Sequence, residues 1–354
     1  MFSLLITIGS FLFVFGVLVI LHELGHFLTA RLFKVKVEEF AFGMPPRIFA
    51  VKKGETAYAL NAIPIGGYVR LEGEDGSDSP APTSFQNKPA WQRIIILLAG
   101  SVVHLILAIV IFSLFIFRQG EAIPNHTVQI AGITDNSPAA EANLLPGDTI
   151  LTINGLAITE VEQFQAATAD KAGQLISIEV QTESGDERTV TLTPRPDPPE
   201  GEGAVGVFIS SGYDLQSVNF FRSFWLGTRF TYVIVDESFQ AIGGLFSSIL
   251  LKASVPEGVS GPIGIARVSG ETAQASGFSG LFFLIGILGA NLAVLNLFPI
   301  PGLDGGRIII ILIELVRRKK LSPQREALVQ GLGLAFVLLI LAVVTFKDVA
   351  SLIS

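Results

Sequence analysis

The chain has 354 residues, half of them hydrophobic and only 16% charged, against about 25% charged in a soluble protein. Mean hydropathy is +0.58, which excludes a disordered chain and sets aside an ordinary soluble enzyme. No cysteine is present, which excludes disulfides, iron–sulfur clusters and thiolate zinc sites. The net charge of −7 is uneven: residues 119–216 hold 15 acids and 3 bases, a net of −12, and the remainder is +5. With no basic stripe for phosphates, nucleic acid is excluded as a partner.

Four stretches lack Asp, Glu, Lys and Arg: Phe2–Leu21, Ile94–Phe117, Leu281–Leu303 and Ala327–Phe346. Each reaches the roughly 20 residues a helix needs to cross a bilayer. The first has no basic residues before it and exceeds the apolar run of a signal peptide, so it reads as a retained span. Arg31, Lys34 and Lys36 follow it, Lys88 and Arg93 precede the second, and Arg317–Lys320 follow the third. With the N-terminus outside, all three clusters fall on one side, and the positive-inside rule makes that side the cytosol. Residues 34–92 and 312–326 are then cytosolic, and the acidic insert lies on the non-cytosolic side.

Between the first two spans, Thr56–Leu71 alternates Tyr58, Leu60 and Ala62, then reads Pro64-Ile-Gly66-Gly67 and Tyr68-Val-Arg-Leu71. This predicts a membrane-associated β-hairpin that turns at Pro64–Gly67. In the insert, Val128–Ile133, Thr149–Ile153, Ser177–Thr182 and Arg188–Pro194 are predicted strands, Glu160–Ala169 a helix, and Pro194–Gly203 a linker. Ser137–Gly155 carries a short helix, then Pro-Gly-Asp turning into a strand that ends at Asn-Gly, and resembles a PDZ domain of bacterial proteases. Asn219–Phe239 reads as an interfacial helix. Uncharged residues 238–251 are too short to span comfortably and read as interfacial or re-entrant. The expected divisions are 1–118 (two spans, hairpin), 119–211 (PDZ-like), 212–280 (interfacial helix and linker) and 281–354 (two spans). The expected fold is thus an α-helical polytopic membrane protein with four transmembrane helices, a membrane-associated β-hairpin and an inserted mixed α/β PDZ-like domain.

His22-Glu23-Leu-Gly-His26 interrupts the end of the first span. Residues four apart share a helix face, so both imidazoles can meet one metal, and Glu23 can reach a water there as a general base. Zinc suits such ligands and keeps a position open in catalytic sites. A chance pair of histidines is the bland reading, but ionisable groups at membrane depth are costly and functional by default. Two imidazoles leave zinc short of a protein ligand. Asp304, in Asn296-Leu-Phe-Pro299-Ile-Pro301-Gly-Leu-Asp304-Gly-Gly306, sits at matching depth in the third span, where prolines break the helix and leave backbone that must line a cavity or be buried.

Together the two motifs and the insert resemble the site-2 protease family, in its RseP-type, PDZ-containing bacterial branch. The resemblance implies an intramembrane zinc metalloprotease with one Zn2+ per chain on His22, His26 and Asp304, and Glu23 catalytic. Asn291, Asn296, Pro299, Gly66, Gly67 and His104 are expected as substrate-binding or active-site support. One departure stands out: Ala99-Gly100-Ser101-Val-Val-His104 occupies a place where the family shows Ala-Gly-Pro-x-x-Asn. His104 could hydrogen-bond the site, close the metal's open position as a fourth ligand, or simply pack against a backbone carbonyl. The family implies single-span membrane proteins as substrates, such as anti-sigma factors or signal-peptide remnants, in a bacterial inner membrane. A peptide-binding membrane scaffold and a metal transporter are the alternatives. Glu23 argues against the first and the bareness of the other spans against the second. The sequence is silent on oligomeric state.

Overall fold

In the computed structural model, which describes residues 2–74, 80–182, 184–199, 202–252 and 260–353, the apolar runs fold as long helices. Met1–Ile116 and Phe220–Ser354 form one unit, Phe117–Asn219 a second. In the first unit the order is α1 (Phe2–Leu32), β1 (Val37–Lys53), β2 (Thr56–Leu71) and α2 (Ala90–Gln119). The second unit follows, and the first then resumes with α5 (Phe220–Lys252), α6 (Pro262–Leu297), α7 (Asp304–Arg317) and α8 (Pro323–Ile353). Four helices are long and apolar enough to cross a membrane: Ser3–Leu32, Ala90–Gln119, Pro262–Leu297 and Gln324–Ala350.

Three expectations for this unit are corrected. The β-hairpin turns at Gly54-Glu55, not at Pro64–Gly67, and the partner of β2 is β1. Gly67–Leu71 pairs with Val37–Phe42, while Thr56–Asn61 pairs with Arg47–Lys53. Pro45 and Pro46 lie inside β1, where proline withholds a ladder donor and masks a strand in the sequence. The helix of the third span begins well before Leu281, while the break expected at its prolines is present. α6 starts at Pro262, kinks at Gly277 and stops at Leu297, and residues 298–303 are non-helical before α7. Finally, α5 runs unbroken through both the expected interfacial helix and the 238–251 segment. Ile234 is buried with Ala108, Phe112 and Ala290. Phe230 meets Phe112 at 4.8 Å between ring centroids, and Ser238 donates to Asn291 Oδ1 at 2.6 Å. That face is buried against α2 and α6.

α1 is held between its neighbours. Val14 and Leu18 are buried with Leu281 and Ile285 of α6. Phe27 and Ala30 are buried with Ile96 and Leu97 of α2 and Ile311 of α7. Arg93 of α2 and Glu314 of α7 form a buried ion pair at 3.2 Å. At the start of α6, Asp348 of α8 accepts from the amides of Gly261 and Gly264, the latter at 2.9 Å. It thereby caps the orphan donors of the α6 N-terminus. Asp348→Ala should lower stability by about 0.5–2 kcal/mol and Asp348→Asn by less, since asparagine also caps. A detergent-denaturation midpoint unchanged in the alanine variant would remove this role.

The second unit is an antiparallel sheet in the order β7-β6-β4-β3-β8, from β3 (Glu121–Ile133), β4 (Thr149–Ile153), β6 (Ile176–Gln181), β7 (Glu187–Leu192) and β8 (Val207–Gln216). The two-residue β5 (Leu156–Ala157) pairs with β4. Two short helices accompany it, α3 (Pro138–Glu141), capped by Ser137, and α4 (Val161–Ala169). Val128, Ile130, Ile150, Ile176, Ile178, Val180 and Phe164 form its core. In the Pro-Gly-Asp turn, Asp148 accepts from the Leu145 amide at 3.0 Å and from Arg188 at 2.6 Å. The unit extends past the expected 119–211 because β8 runs to Gln216 and pairs with β3 from Ile133↔Val207 to Glu121↔Gln216. The alternation Val207, Ile209, Tyr213, Leu215 signals that strand, behind a Pro- and Gly-rich run.

Candidate metal centre

α1 and α2 cross with their backbones in near contact. A Cβ on Gly25 would lie 2.6 Å from the Ala99 carbonyl oxygen. At Gly100 a Cβ would meet His22 Cε1 at 2.5 Å and His26 Nε2 at 2.6 Å. Glycine at both positions is what lets the two imidazoles stand over the second helix. His26 Nδ1 donates to the Ile96 carbonyl at 2.8 Å. That bond fixes the tautomer and leaves the Nε2 lone pair free.

Asp304 is the first residue of α7, delivered by the turn that follows the double-proline break. Its Oδ2 lies 3.3 Å from His22 Nε2 and 3.4 Å from His26 Nε2, and the two Nε2 atoms are 3.1 Å apart. Among the described residues these three form the one group of histidine, aspartate or glutamate side chains converging as metal ligands do. Asp304 Oδ2 is buried without a hydrogen-bond partner among them. Zinc bonds of about 2.0–2.2 Å in a tetrahedron imply ligand–ligand edges of about 3.3–3.6 Å. The donor set and spacing fit that ion.

Glu23 is half-buried and lines, with the three ligand candidates, a cavity of 390 Å³. Tyr68–Leu71 of β2 form one wall, and Arg307, paired with Glu74, closes another side. Gly67 is pressed between Val19 and the Ala41 carbonyl, and a Cβ there would stand 3.4 Å from Glu23 Cγ. Gly66, at φ 83°, faces Met44 instead. Asn296 Nδ2 reaches 3.5 Å from His22 Nε2, the outer limit of a hydrogen bond. Pro299 lies in the non-helical break. Asn291 is not brought to the site, since it is held by Ser238. His104 is not in the converging group, and its Nε2 is engaged by the Leu18 carbonyl at 3.0 Å. Gly25 and Gly100 are the site-building residues that sequence reasoning missed.

Residues 10–340 match peptidase family M50. The chain belongs to that family. Family M50 is the site-2 protease family, and this member is a membrane-embedded zinc metalloprotease. The scaffold and transporter readings fall away. It is similar to a Clostridium acetobutylicum protein provisionally named a zinc metalloprotease, 36% identical over 338 residues that cover 95% of each chain. It is also similar to the regulator of sigma-W protease RasP of Bacillus subtilis, 28% identical with 98% of this chain and 99% of that one aligned. Zinc metalloprotease RasP of Geobacillus kaustophilus is likewise 28% identical, with 97% of each covered. A PDZ domain of the SdrC-like protein of Listeria monocytogenes aligns at 20% identity and TM-score 0.22, covering 25% of this chain and 90% of that one. At that score the likeness carries no argument about the insert.

Proposed function

We propose that this M50 metalloprotease cleaves peptide bonds within or near the transmembrane segments of single-span membrane proteins, with His22, His26 and Asp304 as zinc ligands and Glu23 as general base. The convergence of three ligand atoms inside the helical unit carries the reading. His22 lies ten residues from the end of the first candidate span, about 15 Å along the helix. Zinc supplies Lewis acidity at the scissile carbonyl and makes water a competent nucleophile near neutral pH. Glu23 takes the proton of the attacking water and returns one to the leaving amine. Asn296, beside His22, donates to the developing oxyanion.

A substrate helix hides its peptide bonds in i→i−4 hydrogen bonds and must unwind before attack. Tyr68–Leu71 supports that step, because it pairs with Val37–Ala41 and lines the cavity. An extended substrate adds to this edge as a further strand. The charge rule sets the catalytic face toward the cytosol and the insert on the non-cytosolic side of a bacterial inner membrane. Anti-sigma factors and signal-peptide remnants are the substrate classes, in line with the sigma-W name of the Bacillus relative. The full chain in lipid nanodiscs should hold one zinc and cleave a single-span test protein within its span. Chelation should stop cleavage, and zinc should restore it. A cut confined to soluble peptides, with every membrane substrate left intact, would refute the substrate class.

A further inference from the structure

His104 lies on α2 one turn beyond Gly100, is 1% exposed, and takes no part in the converging ligand group. Its Nε2 stands 3.0 Å from the Leu18 carbonyl oxygen. A carbonyl only accepts, so Nε2 carries the proton, and the neutral ring keeps a lone pair on Nδ1. His22 has the opposite arrangement. Its Nε2 faces Asp304 and His26, so as a ligand it keeps the lone pair there and holds its proton on Nδ1. Both Nδ1 atoms are buried, and neither has a hydrogen-bond partner among the described residues. One is a donor and the other an acceptor. The two ring centroids are 5.2 Å apart, the span of two imidazoles joined by one N–H···N bond of about 2.9 Å. The rings are tilted by 43°, and bringing the two Nδ1 atoms into line takes a turn of one ring.

We infer that His104 is a positioning residue for the metal centre: its Nδ1 accepts the Nδ1 proton of His22 and so holds His22 Nε2 on the metal. The inference rests on the proposed ligand set. His26 has the equivalent support in its bond to the Ile96 carbonyl. His22 would otherwise leave a buried donor unpaired, and His104 a buried acceptor, in surroundings where each is costly. Metal-bound histidines are commonly held in this way through their second nitrogen, and loss of such a partner weakens metal binding 10- to 100-fold as a rough range. Mere packing at position 104 predicts that any ring of similar size serves.

The test uses the full chain in nanodiscs, with zinc as the probe in competition with a chromophoric chelator. His104→Phe keeps the volume and removes the acceptor, and should weaken zinc about 10- to 100-fold. His104→Asn keeps an acceptor, Oδ1, where the imidazole carries Nδ1, and should stay within about threefold of the parent. His22→Ala, which removes a proposed ligand, should lose the site. If His22→Ala binds zinc normally, the ligand set is wrong. If it loses zinc while His104→Phe binds as tightly as the parent, the ligand set stands and the role of His104 is overturned. Should the phenylalanine variant not fold, 15N-histidine spectra of the unaltered protein decide, since the chain has four histidines. A protonated Nδ1 on His22 and a bare one on His104 are expected, and a protonated Nδ1 on His104 rejects the inference.

Discussion

Glu23→Gln should reduce cleavage by at least about 10²- to 10⁴-fold, the span attributable to a positioned proton-transfer group, with zinc still bound at one per chain. The substitution keeps the shape of the side chain and removes its capacity to accept a proton. Glu23 is one position from His22 and so lies off the face that presents both imidazoles. The ligand atoms that converge are those of His22, His26 and Asp304. Gly67 lies against the Glu23 stem, and the carboxylate shares the cavity with β2 rather than with lipid. Metal analysis and turnover of a test substrate separate the roles. If zinc leaves with the carboxylate, Glu23 is a ligand; if cleavage survives, proton transfer belongs to another group.

Gly100→Ala should be almost as damaging, through geometry alone. The added methyl would stand 2.5 Å from His22 Cε1 and 2.6 Å from His26 Nε2, about 1 Å inside ordinary van der Waals contact. Either the imidazoles turn away or α1 and α2 part at a crossing that Gly25 keeps equally tight. A misplacement of about 1 Å is worth roughly 10²-fold in rate, and metal sites tolerate only about 0.2 Å in ligand distance. Zinc content below one per chain and a matching fall in cleavage are expected. Gly9→Ala is the control, because a Cβ there meets nothing within 4 Å. Equal loss in both variants would point to helix insertion rather than to the crossing.

The residues we propose for the chemistry were legible as candidates because ionisable groups stand out against apolar spans. His22, Glu23 and His26 are fixed by spacing along one helix, and Asp304 by a proline break that has few other uses at membrane depth. Gly100 was not legible, since a close helix crossing depends on which faces meet, and a one-dimensional pattern carries no such information. Asn291 is expected beside the site with Asn296, but a shift of five residues turns a helix by about 140°, and Asn291 meets Ser238 instead. The hairpin lies one strand earlier than the sequence predicts because Pro45 and Pro46 disguise β1. Residues 238–251 read as a separate segment on length alone, yet they continue α5, and burial of the α5 face against α2 and α6 outweighs the cost of Gly243 and Gly244, about 1 kcal/mol each relative to alanine.

The ladder between β3 and β8 has a further consequence, which concerns loop entropy. A flexible segment of roughly 100 residues between α2 and α5 would have to bring its ends together, and closure grows by about 0.6 kcal/mol per doubling of length. Here Glu121 and Gln216 are ladder partners, so the insert brings its own two ends side by side. The membrane unit therefore experiences a loop of only a few residues, and is relieved of about 3 kcal/mol of closure entropy by the same arithmetic. An insert closed in this way can grow, shrink or be duplicated between β3 and β8 without any change in the chain length that α2 and α5 must span.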